Sequence, residues 1–72
     1  MHFTILSKDG CPMCEDAASY LRDRNIPHDT KKVTKEELFS ICGKRVTTYP
    51  QILVGTKHIG TNFDMEDYIE DN

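Results

Sequence analysis

The chain contains no tryptophan, and only 8% of its 72 residues are aromatic. It never runs apolar for long. The longest such stretch is Ile52-Leu53-Val54, against the roughly 20 residues that a membrane-spanning helix needs. Basic residues are not in excess either. Nine Lys and Arg face twelve Asp and Glu, a net charge of −3, which disfavours a nucleic-acid binder because that role needs clustered positive charge. Cysteine is scarce, and three is an odd number, too few for the disulfide framework of a small secreted domain. Residues 1–10 hold no apolar stretch of signal length and carry Lys8 and Asp9, so the cytoplasm is the expected compartment. With no repeat, no low-complexity tract and no Ser/Pro linker, a single domain over residues 1–72 is expected. Its core should be small, since a chain this short buries only about 60% of the surface its unfolded form exposes. Disorder is excluded by 38% hydrophobic residues and charges of mixed sign.

His2-Phe3-Thr4-Ile5-Leu6 alternates loosely and ends at Ser7-Lys8-Asp9-Gly10, which predicts a short strand. A helix follows, with Cys11 at its N-cap and Pro12 at the first helical position, where a missing N–H costs nothing. Cys14, Ala17, Ala18 and Leu21 form one apolar stripe, and Asn25-Ile26-Pro27 stops the helix. His28 to Val33 is polar and weakly alternating. It predicts an edge strand, where Lys31 and Lys32 would blunt pairing with other chains. Thr34-Lys35-Glu36-Glu37 is a capping box opening a helix that carries Leu38, Ile41 and Cys42 on one face and ends at Gly43. Gln51–Val54 predicts a buried strand, Gly55-Thr56 a turn, and Lys57–Ile59 the hairpin partner. Thr61-Asn62 then caps a last helix containing Phe63, Tyr68 and Ile69, with Asp64, Glu66 and Asp67 near its positive end. The order is β-α-β-α-β-β-α. A right-handed βαβ unit makes the first two strands parallel, and the hairpin is antiparallel. The expected α/β fold is a mixed four-stranded sheet covered by three helices.

Cys11-Pro12-Met13-Cys14 is a C-x-x-C at a helix start, directly after a strand. The N-cap thiol faces unpaired N–H groups and the positive end of the helix dipole, and both favour thiolate. Lys8 can add positive charge. Thiolate is the attacking species in disulfide exchange, which predicts Cys11 as nucleophile and Cys14, one turn further in, as the resolving thiol. Other readings carry less. Zinc wants four ligands, usually with a second pair, whereas only Cys42, His2, His28 and His58 remain, scattered along the chain. A chance C-x-x-C of two inert thiols fits poorly with the strand–helix setting. Cys42 is simplest as a small core residue, the histidines as surface or strand residues, and the acidic last helix as a solvated face.

Four blocks together resemble a family. They are Lys8-Asp9-Gly10-Cys11-Pro12-Met13-Cys14, Thr34-Lys35-Glu36-Glu37-Leu38, Gly43-Lys44-Arg45-Val46-Thr47-Thr48-Tyr49-Pro50-Gln51-Ile52, and His58-Ile59-Gly60-Thr61-Asn62-Phe63-Asp64. In this order they resemble the dithiol glutaredoxins of the small bacterial and phage type over nearly the whole chain. The resemblance implies a thioredoxin-like fold, a cis Pro50 beside the Cys pair, and no bound cofactor or metal, with glutathione as co-substrate. It implies that Lys8 meets the glycine carboxylate of glutathione and that the Tyr49 backbone holds the cysteinyl part. Phe63 and Asp64 would take the γ-glutamyl end, with Met13, Thr48 and Pro50 in the same binding region. Disulfide-bearing proteins such as ribonucleotide reductase are the implied partners, and a monomer the implied state. Two alternatives stand beside this: a redoxin of the same shape recharged by thioredoxin reductase, and a metal or iron–sulfur binding module using Cys11. The chain departs from the pattern at Met13, where Tyr is usual, at Tyr49, where Val is usual, and at Thr61, where a second Gly is usual. Tyr49 would put a large ring where substrate docks. Thr61, which resists a positive φ, would narrow or reshape the glutathione pocket.

Overall fold

A computed structural model describes residues 2–71, so the expected domain bounds, 1 and 72, lie outside the described residues. The elements follow the expected order: β1 (Phe3–Ser7), α1 (Pro12–Asp23), β2 (His28–Lys32), α2 (Lys35–Cys42), β3 (Gln51–Val54), β4 (Lys57–Gly60) and α3 (Asn62–Glu70). They form one sheet ordered β2-β1-β3-β4. β1 runs parallel to β2, aligning Ile5 with Thr30, and antiparallel to β3, aligning Ile5 with Ile52. β3 and β4 close the hairpin with a register shift between Ile52 and Leu53. β2 is therefore an edge strand, with Lys31 and Lys32 exposed on it.

Successive strand side chains point to opposite faces, and β1 uses both. Phe3 and Ile5 join Ala17 and Leu21 of α1, Ile52 of β3 and Met65 of α3 in one core cluster. The Phe3 and Tyr68 rings meet edge to face, 6.1 Å between centroids. Leu6 faces the other way and packs with Val33 and with Leu38 of α2, flanked by Cys42, Val46, Tyr49 and Leu53. The sheet is thus sandwiched between α1 with α3 on one side and α2 on the other.

Small differences from the sequence expectation have clear causes. β1 is shifted by one residue to Phe3–Ser7, because Ser7 pairs with Lys32 and its carbonyl accepts the Val33 N–H at 2.9 Å. Ile41, expected on the buried face of α2, is 43% exposed. At about 100° per residue, Ile41 lies some 60° to one side of Leu38 and Cys42 about 40° to the other. The short helix turns Leu38 inward, half-buries Cys42 and leaves Ile41 outside. On α3 the fully buried apolar residue is Met65, while Phe63 is exposed.

Candidate active site

The loop Lys8-Asp9-Gly10 delivers the chain from β1 to α1. Cys11 takes an extended N-cap conformation, with Pro12 beginning the helix. Its carbonyl accepts the Cys14 and Glu15 N–H groups at 3.1 and 3.3 Å. Its sulfur accepts the Cys14 N–H at 3.2 Å. Cys11 and Cys14 are joined as a disulfide with their Cα atoms 5.3 Å apart. Cys11 is half-buried and Cys14 buried, so the first sulfur is the accessible one.

A cavity of about 200 Å³ opens beside this pair. Lys8, Cys11, Cys14, Glu15 and, across the gap, Thr30 and Lys32 of β2 are among its lining residues. Lys32 closes an ion pair with Asp9 at the rim. That contact holds the Asp9 carboxyl below its ordinary range and raises the Lys32 ammonium. The Lys8 Nζ lies 5.4 Å from the Tyr49 ring centroid.

The structure thus brings Lys8, Cys11 and Cys14 to one cavity and Tyr49 against Lys8. Met13, Thr48, Pro50, Phe63 and Asp64 line no part of that cavity. Met13 and Phe63 are exposed apolar side chains, 40% and 63% accessible. The Tyr49–Pro50 peptide is cis, as expected, and Pro50 is buried. Tyr49 does not lie open as a ring across a docking surface. It packs half-buried against the Leu6, Val33 and Leu38 cluster, and its hydroxyl donates to the Val33 carbonyl at 2.7 Å. Thr61 is not strained: as N-cap of α3 it has φ −88°, extended backbone open to any residue. The position that requires glycine is Gly60, with φ +122°, where a Cβ would overlap the Asp64 carboxylate. Asp64 Oδ2 accepts the Thr61 N–H at 2.9 Å and the Thr61 hydroxyl at 3.2 Å.

Sequence reasoning passed over Gln51. Its side chain is buried and fully used: Nε2 donates to the Thr48 carbonyl and hydroxyl at 3.0 and 3.2 Å, and Oε1 meets His58 Nε2 at 2.7 Å. That network orients the amide and puts the His58 proton on Nε2. A polar residue inside an apolar strand, directly after Pro50, was the available signal. Cys42 stands apart, and burial pushes its thiol up. Among the described residues, no group of three or more His, Cys, Asp or Glu could hold a metal ion, and no helix is long and apolar enough to cross a membrane.

The sheet, the helix order and a C-x-x-C at an N-cap define a thioredoxin-like thiol–disulfide oxidoreductase. The glutaredoxin family model matches residues 3–59, and the chain belongs to the glutaredoxin family. It is 37% identical over 82 residues to glutaredoxin 1 of Salmonella typhimurium, covering 100% of this chain and 94% of that protein. The solved structure of reduced Escherichia coli glutaredoxin superposes with a TM-score of 0.77 at 32% identity, covering 100% of this chain and 96% of that one. A buckwheat glutaredoxin–glutathione complex shares the fold, with a TM-score of 0.78 at 19% identity over 96% of this chain and 68% of that one. The chain is also 35% identical over 72 residues to a hybrid peroxiredoxin, hyPrx5 of Haemophilus influenzae, of which it spans 28% of the length.

Proposed function

We propose that this thiol–disulfide oxidoreductase is glutathione-dependent, with Cys11 as nucleophile and Cys14 as resolving thiol. The observation that carries the assignment is the Cys11 sulfur at the N-cap of α1, accepting the Cys14 N–H. When the pair is reduced, that N–H and the helix dipole, worth about half a positive charge, stabilise a thiolate there. The Cys11 thiolate attacks a target disulfide, forming a mixed disulfide and releasing one target thiolate. Cys14 gives up its proton and attacks the Cys11 sulfur. This forms the Cys11–Cys14 bond and releases the second target thiolate, so two electrons have passed to the target. One glutathione thiolate then opens the Cys11–Cys14 bond, forming a mixed disulfide at Cys11 and freeing Cys14. A second attacks the bound glutathione sulfur, giving glutathione disulfide and the Cys11 thiolate.

In this reading Lys8 meets the glycine carboxylate of glutathione, and Met13, Thr48, the Tyr49 backbone and Pro50 form the docking surface for its cysteinyl part and for target peptides. Phe63 and Asp64 take the γ-glutamyl end. Asp64 Oδ2 is engaged by Thr61, so Oδ1 is the oxygen offered to the ammonium. Ribonucleotide reductase after turnover is a suitable target, the cytoplasm a suitable setting, and the protein acts as a monomer with no bound cofactor or metal. The test is NADPH oxidation with a glutathione mixed disulfide, run with glutathione and glutathione reductase and again with thioredoxin reductase alone. Turnover is expected in the first system. Turnover confined to the second would transfer the reading to a redoxin recharged by thioredoxin reductase.

A further inference from the structure

Directly before the cis Pro50 stands Tyr49, whose ring has three kinds of partner. The hydroxyl donates to the Val33 carbonyl at 2.7 Å, the side chain packs on the Leu6, Val33 and Leu38 cluster, and the Lys8 ammonium stands over the ring at 5.4 Å from the centroid. A ring face within about 6 Å attracts a cation. Lys8 is exposed and long, so without such a contact its charge would be spread over many rotamers. We propose that Tyr49 is a positioning residue whose ring holds the Lys8 ammonium at the rim of the cavity lined by Cys11 and Cys14. The proposal rests on the reading of Cys11 as a thiolate nucleophile and adds the device that keeps its cationic neighbour in place.

The charges around the cavity leave this task to Lys8. From the loop come Lys8 and Asp9, from α1 Glu15 and the helix N-terminus, and from β2 Lys32. Lys32 is engaged by Asp9. Glu15, in the first turn of α1, opposes a thiolate. Among the described residues no acid engages Lys8, the other lining cation; an aromatic face holds it instead. An anion formed or docked at Cys11 therefore sees a positioned charge.

The test follows alkylation of Cys11 against pH in the reduced full chain, resolving Cys11 by peptide mass. Tyr49→Leu keeps apolar bulk against the cluster and removes the π face; Tyr49→Val is the smaller second variant. Each is expected to slow alkylation below the midpoint about two- to five-fold, the size of an exposed cation–π contact, and to raise the midpoint accordingly. Tyr49→Phe keeps the face and should hold the wild-type midpoint. Lys8→Ala should shift it as Tyr49→Leu does, and the double variant Lys8→Ala/Tyr49→Leu should shift it no further. A wild-type midpoint in Tyr49→Leu alongside a shifted one in Lys8→Ala overturns the proposal while leaving the role of Lys8 intact. A shift in Tyr49→Phe equal to that in Tyr49→Leu overturns it too, by assigning the effect to the hydroxyl. A wild-type Cys11 midpoint at or above about 8.5 would overturn the nucleophile reading itself.

Discussion

Helices α1 and α3 both begin at residues assigned to one site, yet their first turns are finished differently. At α1 the cap is a sulfur, accepting the Cys14 N–H from a half-buried position with a cavity beside it. At α3 the cap is closed internally, because the Asp64 carboxylate binds both the backbone and the hydroxyl of Thr61. A sulfur is a weak acceptor when neutral and a strong one when ionised. The α1 terminus therefore rewards formation of a thiolate, whereas the α3 terminus spends part of its carboxylate on its own stability. In the proposed reading the first is arranged for chemistry, the second for holding a shape that a ligand can meet.

The contrast is broken most forcefully by substitution at the two caps. Cys11→Ser should lose both reduction of protein disulfides and removal of glutathione from mixed disulfides. Cys14→Ser should lose only the first, since the second can proceed through Cys11 alone. Equal loss from both variants in the mixed-disulfide assay would overturn this ordering.

At α3, Asp64→Ala should cost about 1 kcal/mol of stability through the lost cap and weaken glutathione use. Asp64→Asn keeps an acceptor for Thr61 and should restore most of the stability but not the affinity. For an exposed charge pair that affinity is worth about 0.2–1 kcal/mol. Thermal melts and the apparent glutathione affinity separate the two roles. If Asp64→Asn leaves affinity unchanged, the γ-glutamyl end does not depend on that charge.

Cys42 sharpens the comparison from the opposite kind of helix end. It is the last residue of α2, where the dipole is negative, and burial raises its thiol. Cys42→Ala is expected to keep disulfide reductase activity and to cost about 1 kcal/mol or less. Loss of activity with an intact fold would bring a third thiol into the mechanism.

The start of α2 gives the smallest effect. Thr34 holds the Glu37 carboxyl below its ordinary value of 4.5, through its backbone N–H first and its hydroxyl second. A carboxyl lowered in the folded state stabilises above its unfolded pKa, and that contribution fades as pH falls through the folded pKa. Glu37→Gln should lower the melting temperature slightly near neutral pH and flatten its dependence on pH below about 4.5; an unchanged acid limb would remove Glu37 from the account.

Much of this was legible locally. Cys11-Pro12 fixes the start of α1, Thr34 with Glu37 that of α2, and Gly55-Thr56 the hairpin, because each signal acts within a few residues of chain. The redox pair was legible for the same reason. What was not legible depends on residues far apart in sequence. Tyr49 reads as an obstruction until Val33 and Leu38 are brought beneath it. Gln51 reads as a strand residue until Thr48 and His58 meet it. Thr61 reads as a strained replacement for glycine until its φ is seen to be extended, the glycine requirement having fallen on Gly60. On α3 the signal was present, because Met65 stands at i, i+3 and i+4 spacing with Tyr68 and Ile69, which pack on the same core cluster, while the more conspicuous Phe63 stays exposed.

The central claim is that the α1 terminus makes Cys11 a thiolate under conditions where an ordinary cysteine is a thiol. The rate of Cys11 alkylation in the reduced protein, followed against pH, tests it most directly. A midpoint within the range of about 3.5–7.5 seen for activated cysteines is the predicted result, with Cys42 remaining slow throughout. A Cys11 midpoint at or above about 8.5 would contradict the account.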